Sequence, residues 1–143
     1  MSYIEDIRSL GRDANPFFRL MGINLGPLGK GVAELSMQVR PDMLNGVGWL
    51  QGGLFTALSD EAMALALFTV LDEGEGIATI SESTSFLQGI RKGRIKAVGR
   101  VVKRGRNIAF LEGIVTNSDD GSCLSETVAS FVIMPKRRKE RDA

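Results

Sequence analysis

From Val32 to Arg40 the chain alternates: Ala33, Leu35, Met37 and Val39 are apolar, while Glu34, Ser36, Gln38 and Arg40 are polar. That period of two predicts a strand with one buried face. The stretch Gly26 to Gly31 predicts a turn that pairs it with a strand near residues 22–27. Further along, Ile95, Ala97 and Val101 alternate with Arg94, Lys96 and Arg100. Strands are predicted near 77–88, 94–104, 107–117 and 122–134, with tight turns at Gly105-Arg106 and from Asn117 to Gly121. Between the first two strands and the last four the period changes. The loop Asn45 to Gly48 opens into a helix predicted over about residues 52–71, roughly 30 Å long, and ended by Asp72 to Gly76. Leu54, Leu58 and Leu65 share one face, but Phe55, Leu67, Val70 and Leu71 cover the others, so this helix is expected to be buried on every side. At the start, residues 3–13 predict a short amphipathic helix ended at Asn15-Pro16, and Pro16 opens a second turn carrying Phe17, Phe18, Leu20 and Met21.

This order predicts an α+β fold, one antiparallel sheet wrapped around one long central helix with short N-terminal helices before it. The length of 143 residues suits a single domain over residues 1–134, with its core at about 22–134. The charged tail, 135–143, is expected to be disordered. A sheet that buries a helix on one side leaves an edge and an open side that call for a partner.

Asp60 and Glu61 stand one to two turns inside the apolar helix. An ionised carboxylate taken out of water is costly and shifts its pKa or is put to use. Chemistry is therefore expected there, and its means are restricted. The chain has no histidine, which removes Ser-His-Asp and Cys-His triads, histidine-ligated zinc and any imidazole base. Carboxylates, hydroxyls, amides and backbone dipoles remain, with no metal or redox cofactor expected. Cys123 is the only cysteine, so a reducing compartment is the natural setting. The N-terminus lacks the basic start and apolar core of a signal peptide, and Ala62 to Leu71 is too short to span a bilayer. The expectation is a cytoplasmic protein without membrane contact.

Eight Lys or Arg fall between residues 91 and 106 with no acidic residue among them, although the net charge is only +1. Such a stripe is either a solvated strand face or a surface for a phosphate-bearing small ligand. One Trp and one Tyr offer little stacking surface, which argues against nucleic acid.

The spacing of Asn45, Gln51-Gly52-Gly53 and Asp60, followed by Thr79, Phe86-Leu87, Gly93, Arg104-Gly105-Arg106 and Ala109-Phe110, resembles the hotdog-fold acyl-CoA thioesterases of the phenylacetate-degradation (PaaI-like) type. The likeness covers about residues 30–134. The motif of that family reads Asn, five residues, His-Gly-Gly, seven residues, then Asp or Glu; here Gln51 replaces the histidine. The resemblance implies hydrolysis of an acyl-CoA to acid and coenzyme A, the latter being part of the substrate. It implies Asp60 as general base or as a nucleophile forming a mixed anhydride, with the Thr79 hydroxyl nearby. It also implies a site shared between the subunits of a homodimer, and further a dimer of dimers.

The residues add their own chemistry. Gly52 offers a helix-terminal N–H to an oxyanion, and Gly53 lets the substrate approach the backbone. Asn45 orients water or carbonyl, or else stabilises its turn. Gln51 can hold the loop but cannot move a proton. Met63 and Phe86 either line an acyl pocket or pack the core, and Arg104 and Arg106 are the candidates for the phosphates of coenzyme A. A non-catalytic acyl-CoA-binding or sensing protein is the alternative reading.

Overall fold

The computed structural model describes residues 2–136. Helix α1 (Tyr3–Leu10) is opened by a capping box between Ser2 and Glu5, and a 3-10 turn (Gly11–Ala14) leads to α2 (Pro16–Met21). Asn15 caps α2 by accepting from the N–H groups of Phe17 and Phe18 at 2.9 and 3.2 Å, as its sequence position before Pro16 predicts. Six strands follow: β1 (Asn24–Gly29), β2 (Val32–Val39), β3 (Gly76–Phe86), β4 (Gly93–Arg104), β5 (Ile108–Asn117) and β6 (Cys123–Met134). They form one antiparallel sheet in the order β1-β2-β4-β5-β6-β3. The long helix α3 (Gly52–Phe68) lies across the inner face of the sheet, over β4, β5 and β2, and barely touches β3 and β6. The expected charged tail falls almost wholly outside the described residues.

Two glycines decide how closely α3 lies. Gly99 and Gly113 face each other across the β4–β5 ladder. A Cβ on Gly99 would overlap the backbone at Ala62 and Met63, and one on Gly113 would press on the Cβ of Ser59 at 3.0 Å. Helix backbone thus rests directly on sheet backbone. Phe55, Leu58, Ala62, Met63, Leu65, Ala66 and Leu67 then drop into the core with Leu35, Met37, Ile95, Ala97, Leu111 and Phe131.

Three expectations need correction. The helix stops at Phe68 instead of Leu71, because the Thr69 hydroxyl donates to the Ala66 carbonyl at 2.6 Å and accepts from the Gly31 N–H at 2.8 Å. A side chain that competes for helical carbonyls ends the last turn before the acidic segment is reached. The turn between the first two strands is confined to Lys30 and Gly31, both at positive φ (52° and 80°) as a two-residue hairpin demands; Gly26-Pro27 forms a bulge in edge strand β1. Finally, α3 is not buried all round. Its face with Thr56, Ala57, Asp60, Glu61 and Ala64 is only half-buried, reached by single side chains, Thr84 and Thr79 of β3 and Asn15 before α2, and otherwise open.

The close approach at Gly99 gives a stability prediction. Gly99→Ala should cost about 3 kcal/mol or prevent folding, at or beyond the upper end for overpacking. Gly46, where an added Cβ meets nothing within 4 Å and φ is ordinary, should accept alanine with a change under about 0.5 kcal/mol. Urea denaturation of both variants reads the difference.

Candidate active site

The entrance to α3 is a tied loop. Asn45 accepts from the N–H groups of Val47 and Trp49 through its side-chain oxygen at 3.1 and 3.0 Å, while its own N–H donates to the Trp49 carbonyl at 2.7 Å. This is the turn-stabilising role; the Asn45 side-chain NH2 has no protein partner among the described residues. Gln51 follows with its N–H on the Met43 carbonyl at 3.0 Å. It occupies the position before the first helical residue yet gives no side-chain cap. The first N–H groups of α3, at Gly52 and Gly53, therefore remain free for an acceptor at the positive end of the helix. Gln51 and Phe86 wall them in: a Cβ on Gly53 would stand 2.7 Å from Gln51 Oε1, and one on Gly52 would stand 3.4 Å from the Phe86 ring. Phe86, more than half exposed, also meets Phe55 edge to face at 6.2 Å.

Two turns further on, Asp60 points from the half-buried face toward β3. Thr79 Oγ1 donates to Asp60 Oδ1 at 3.1 Å, so the hydroxyl expected near the acid is there. One turn back, Thr56 and Thr84 share a hydroxyl bond of 2.8 Å, which continues to Thr127 at 2.9 Å. These links lie to either side of Glu82, a residue that sequence reasoning missed. In a regular strand Thr79 and Glu82, three apart, face opposite sides. The register of β3 on β6 slips between Thr79 and Ser81, so Thr79 opposes Phe131 and Glu82 opposes Ala129, both inward positions. The bulge at Ile80 turns both side chains toward α3. Glu82 comes to rest beside Asp60, and its carboxyl is pushed up to about 7 by desolvation, by its hydrogen bond with Asp60 and by the Asp60 charge.

Glu61 faces the N-terminal helices. Asn15 donates to its Oε2 at 3.4 Å and to the Tyr3 hydroxyl at 2.7 Å. Burial, and then the neighbouring Asp60 charge, raise the Glu61 carboxyl above its ordinary value. Asp60, Glu61, Tyr3, Asn15, Ala64, Phe68, Ile77, Thr79 and Phe131 border an open recess of about 350 Å³.

Other expected positions are dispersed. Met63 is fully buried over Gly113 and belongs to the core, with no access to a pocket. Arg104 is taken up by Glu75, 2.7 Å away and mostly buried, beyond the C-terminal end of α3. Arg106 lies in the adjoining hairpin, past the end of β4 remote from the Gly52 entrance. Arg91, just before the start of β4 and about 35 Å away along that strand, is the basic group at the entrance: its guanidinium stacks 3.9 Å over Trp49, and Leu50 bonds Ile90 at 2.8 Å. Being one of eight basic residues in a stripe, it carried no sequence signal of its own.

Gly52 and Asp60 are eight residues apart on one helix, a rise of about 12 Å. The chain thus presents an oxyanion-type donor pair at one point and a hydroxyl-held carboxylate at another, without histidine. Residues 48–124, just over half of the chain, match the thioesterase superfamily. The chain belongs to that superfamily. Among relatives of this thioesterase, human acyl-coenzyme A thioesterase 13 is 26% identical over 124 residues, 85% of this chain and 87% of the human protein. A thioesterase of Haemophilus influenzae shares the fold at a TM-score of 0.84, 20% identity, over 99% of this chain and 96% of its own. A mutant of the phenylacetic acid degradation protein PaaI from Thermus thermophilus does so at 0.76 and 24% identity, over 82% and 98%. The α+β hotdog architecture and the thioester-hydrolase class are thereby established. No helix among the described residues is long and apolar enough to cross a membrane.

The raised carboxyls set the pH dependence of stability. Glu82 and Glu61 bind protons more readily folded than unfolded, so their stabilising effect is complete below the ordinary value of 4.5 and, for Glu82, is lost as pH rises through about 7. The urea midpoint should fall between about pH 5 and pH 8, and the double variant Glu61→Gln, Glu82→Gln should fall less.

Proposed function

We propose that this thioesterase hydrolyses acyl-CoA thioesters in a site shared by two chains, with Asp60 as general base. The observation that carries the reading is the Asp60 carboxylate, held by Thr79 on a helix face that is only half-buried. Asp60 takes a proton from water, whose oxygen attacks the thioester carbon. Charge develops on the carbonyl oxygen and is met by the free N–H groups at Gly52 and Gly53. The C–S bond breaks, and the coenzyme A thiolate recovers the proton from Asp60. Human acyl-coenzyme A thioesterase 13, by its name, acts on this substrate class.

A donor and a base serving one carbonyl must lie within about 3–4 Å of the reacting atoms, which the 12 Å separation along α3 forbids within one chain. A second copy resolves the conflict. Strand β3 is an eleven-residue sheet edge, free of Pro and Lys and exposed along most of its length. Such an edge is a template for pairing. Pairing two copies there covers the open face of α3 and sets Asp60 of one chain against Asn45 and Gly52 of the other, twice per dimer. The outer sheet face, where Phe110 and Val128 are more than half exposed, is a surface on which two dimers meet. Arg91 and Trp49 flank the entrance as a phosphate and adenine contact for coenzyme A, and the recess beside Asp60 takes the acyl group.

Thiol release from a panel of aryl and aliphatic acyl-CoAs tests the reading. Asp60→Asn should lower kcat by about 10²–10⁴-fold with binding retained. Arg91→Ala should raise KM and leave kcat largely unchanged. Mixing Asp60→Asn chains with Asn45→Ala chains should restore activity in heterodimers, which hold one intact site. A wild type that binds acyl-CoA without releasing thiol supports the non-catalytic reading instead.

A further inference from the structure

We propose that Glu82 is a positioning residue for Asp60: the two carboxyls share one proton, and Glu82 holds it as a donor to the Asp60 carboxylate. Geometry brings the pair together. The bulge at Ile80 puts Thr79, Glu82 and Thr84 on one face of β3, opposite Phe131, Ala129 and Thr127 of β6. The Thr79–Asp60 and Thr56–Thr84 hydrogen bonds pin α3 on both sides of Glu82, so its carboxyl meets the helix between them. Across β6 it opposes Ala129, whose single methyl leaves room for it.

Among the described residues the elements that carry the pair supply no cation to it. Neither α3, β3 nor β6 contains a lysine or arginine, and the chain has no histidine. The inward positions of β6 are Thr127, Ala129 and Phe131, and the remaining titratable neighbour, Glu61, is itself acidic and lies toward Asn15 and Tyr3. With hydroxyls as the other polar partners among the described residues, a shared proton relieves the repulsion between two adjacent carboxyls. The upward displacement of Glu82 to about 7 agrees. While Glu82 holds the proton, Thr79 and Glu82 both donate to Asp60, which fixes its orientation toward the attacking water. Once Glu82 loses the proton, Asp60 loses one of its two donors, and a second anion stands beside the developing oxyanion and the anionic substrate.

This inference rests on Asp60 being the base, and two readouts separate the claims. The pH profile of kcat/KM is the first: between about pH 6 and pH 8.5 the wild type should decline about tenfold as Glu82 ionises. Glu82→Gln keeps a donor without the titration, so its profile should be flat across the same interval. Glu82→Ala, lacking the donor, should be about tenfold less active than Glu82→Gln with KM little changed. The second readout is the carboxyl signal of Glu82 in protein labelled with carbon-13 at glutamate, assigned by its loss in Glu82→Gln. It should titrate near neutrality in the wild type and move down toward the ordinary glutamate range in Asp60→Asn, where burial still raises it. A Glu82→Gln variant that keeps the wild-type decline, or a Glu82 signal indifferent to Asp60→Asn, overturns the proposal. A wild type that hydrolyses no acyl-CoA overturns the reading of the reaction instead, and the titration alone then decides the proton-sharing pair.

Discussion

The contact between α3 and the sheet at Gly99 and Gly113 governs this molecule. Only glycine, facing glycine across the β4–β5 ladder, lets the backbone at Ala62 and Met63 reach the strands. That approach drops Leu58, Met63, Leu65 and Leu67 into full burial. At about 25 cal/mol for each Å² of apolar surface removed from water, side chains of this size dominate the favourable side of folding. A helix pressed so firmly onto β2, β4 and β5 cannot also lie over β3 and β6.

The geometry of the candidate site follows from that off-centre seat. The flank of α3 toward β3 stays half-open and carries Asp60 and Glu61, where a symmetric wrap would have sealed both in hydrocarbon. Hydroxyls bridge the remaining gap: Thr56 to Thr84, and Thr79 to Asp60. They hold strand and helix in register without closing the groove. The same displacement leaves β3 as a long edge at one end of the sheet, while the other edge, β1, is blunted by its bulge at Gly26-Pro27.

The structure places three carboxyls of this histidine-free chain near one another in graded settings. Asp60 takes a hydrogen bond from Thr79, Glu61 is raised chiefly by burial among the N-terminal helices, and Glu82 is raised by burial and by Asp60 itself. The free N–H groups of Gly52 and Gly53 complete the set by supplying positive potential from backbone alone.

What the sequence determined by itself was everything that repeats or that depends on near neighbours. Alternation at Ala33, Leu35, Met37 and Val39 places β2; the four later strands fall within two residues of their predicted ends; Asn15-Pro16 marks the start of α2; and the spacing from Asn45 through Gln51-Gly52-Gly53 to Asp60 carries the family resemblance. Features set by contact between distant segments were not legible. Thr69 ends α3 because it meets Gly31 across the fold. Met63 and Arg104 are candidates in the sequence, but packing against Gly113 and pairing with Glu75 decide their surroundings. Arg91 becomes the entrance cation through the course of the loop and its stack on Trp49. Glu82 is the sharpest case: alternation assigns it to the face opposite Thr79, and one extra residue at Ile80, visible only in the pairing of β3 with β6, turns it toward Asp60. Side-chain periodicity is local and written in the chain, whereas a bulge is a mismatch between two strands and exists only once they have paired.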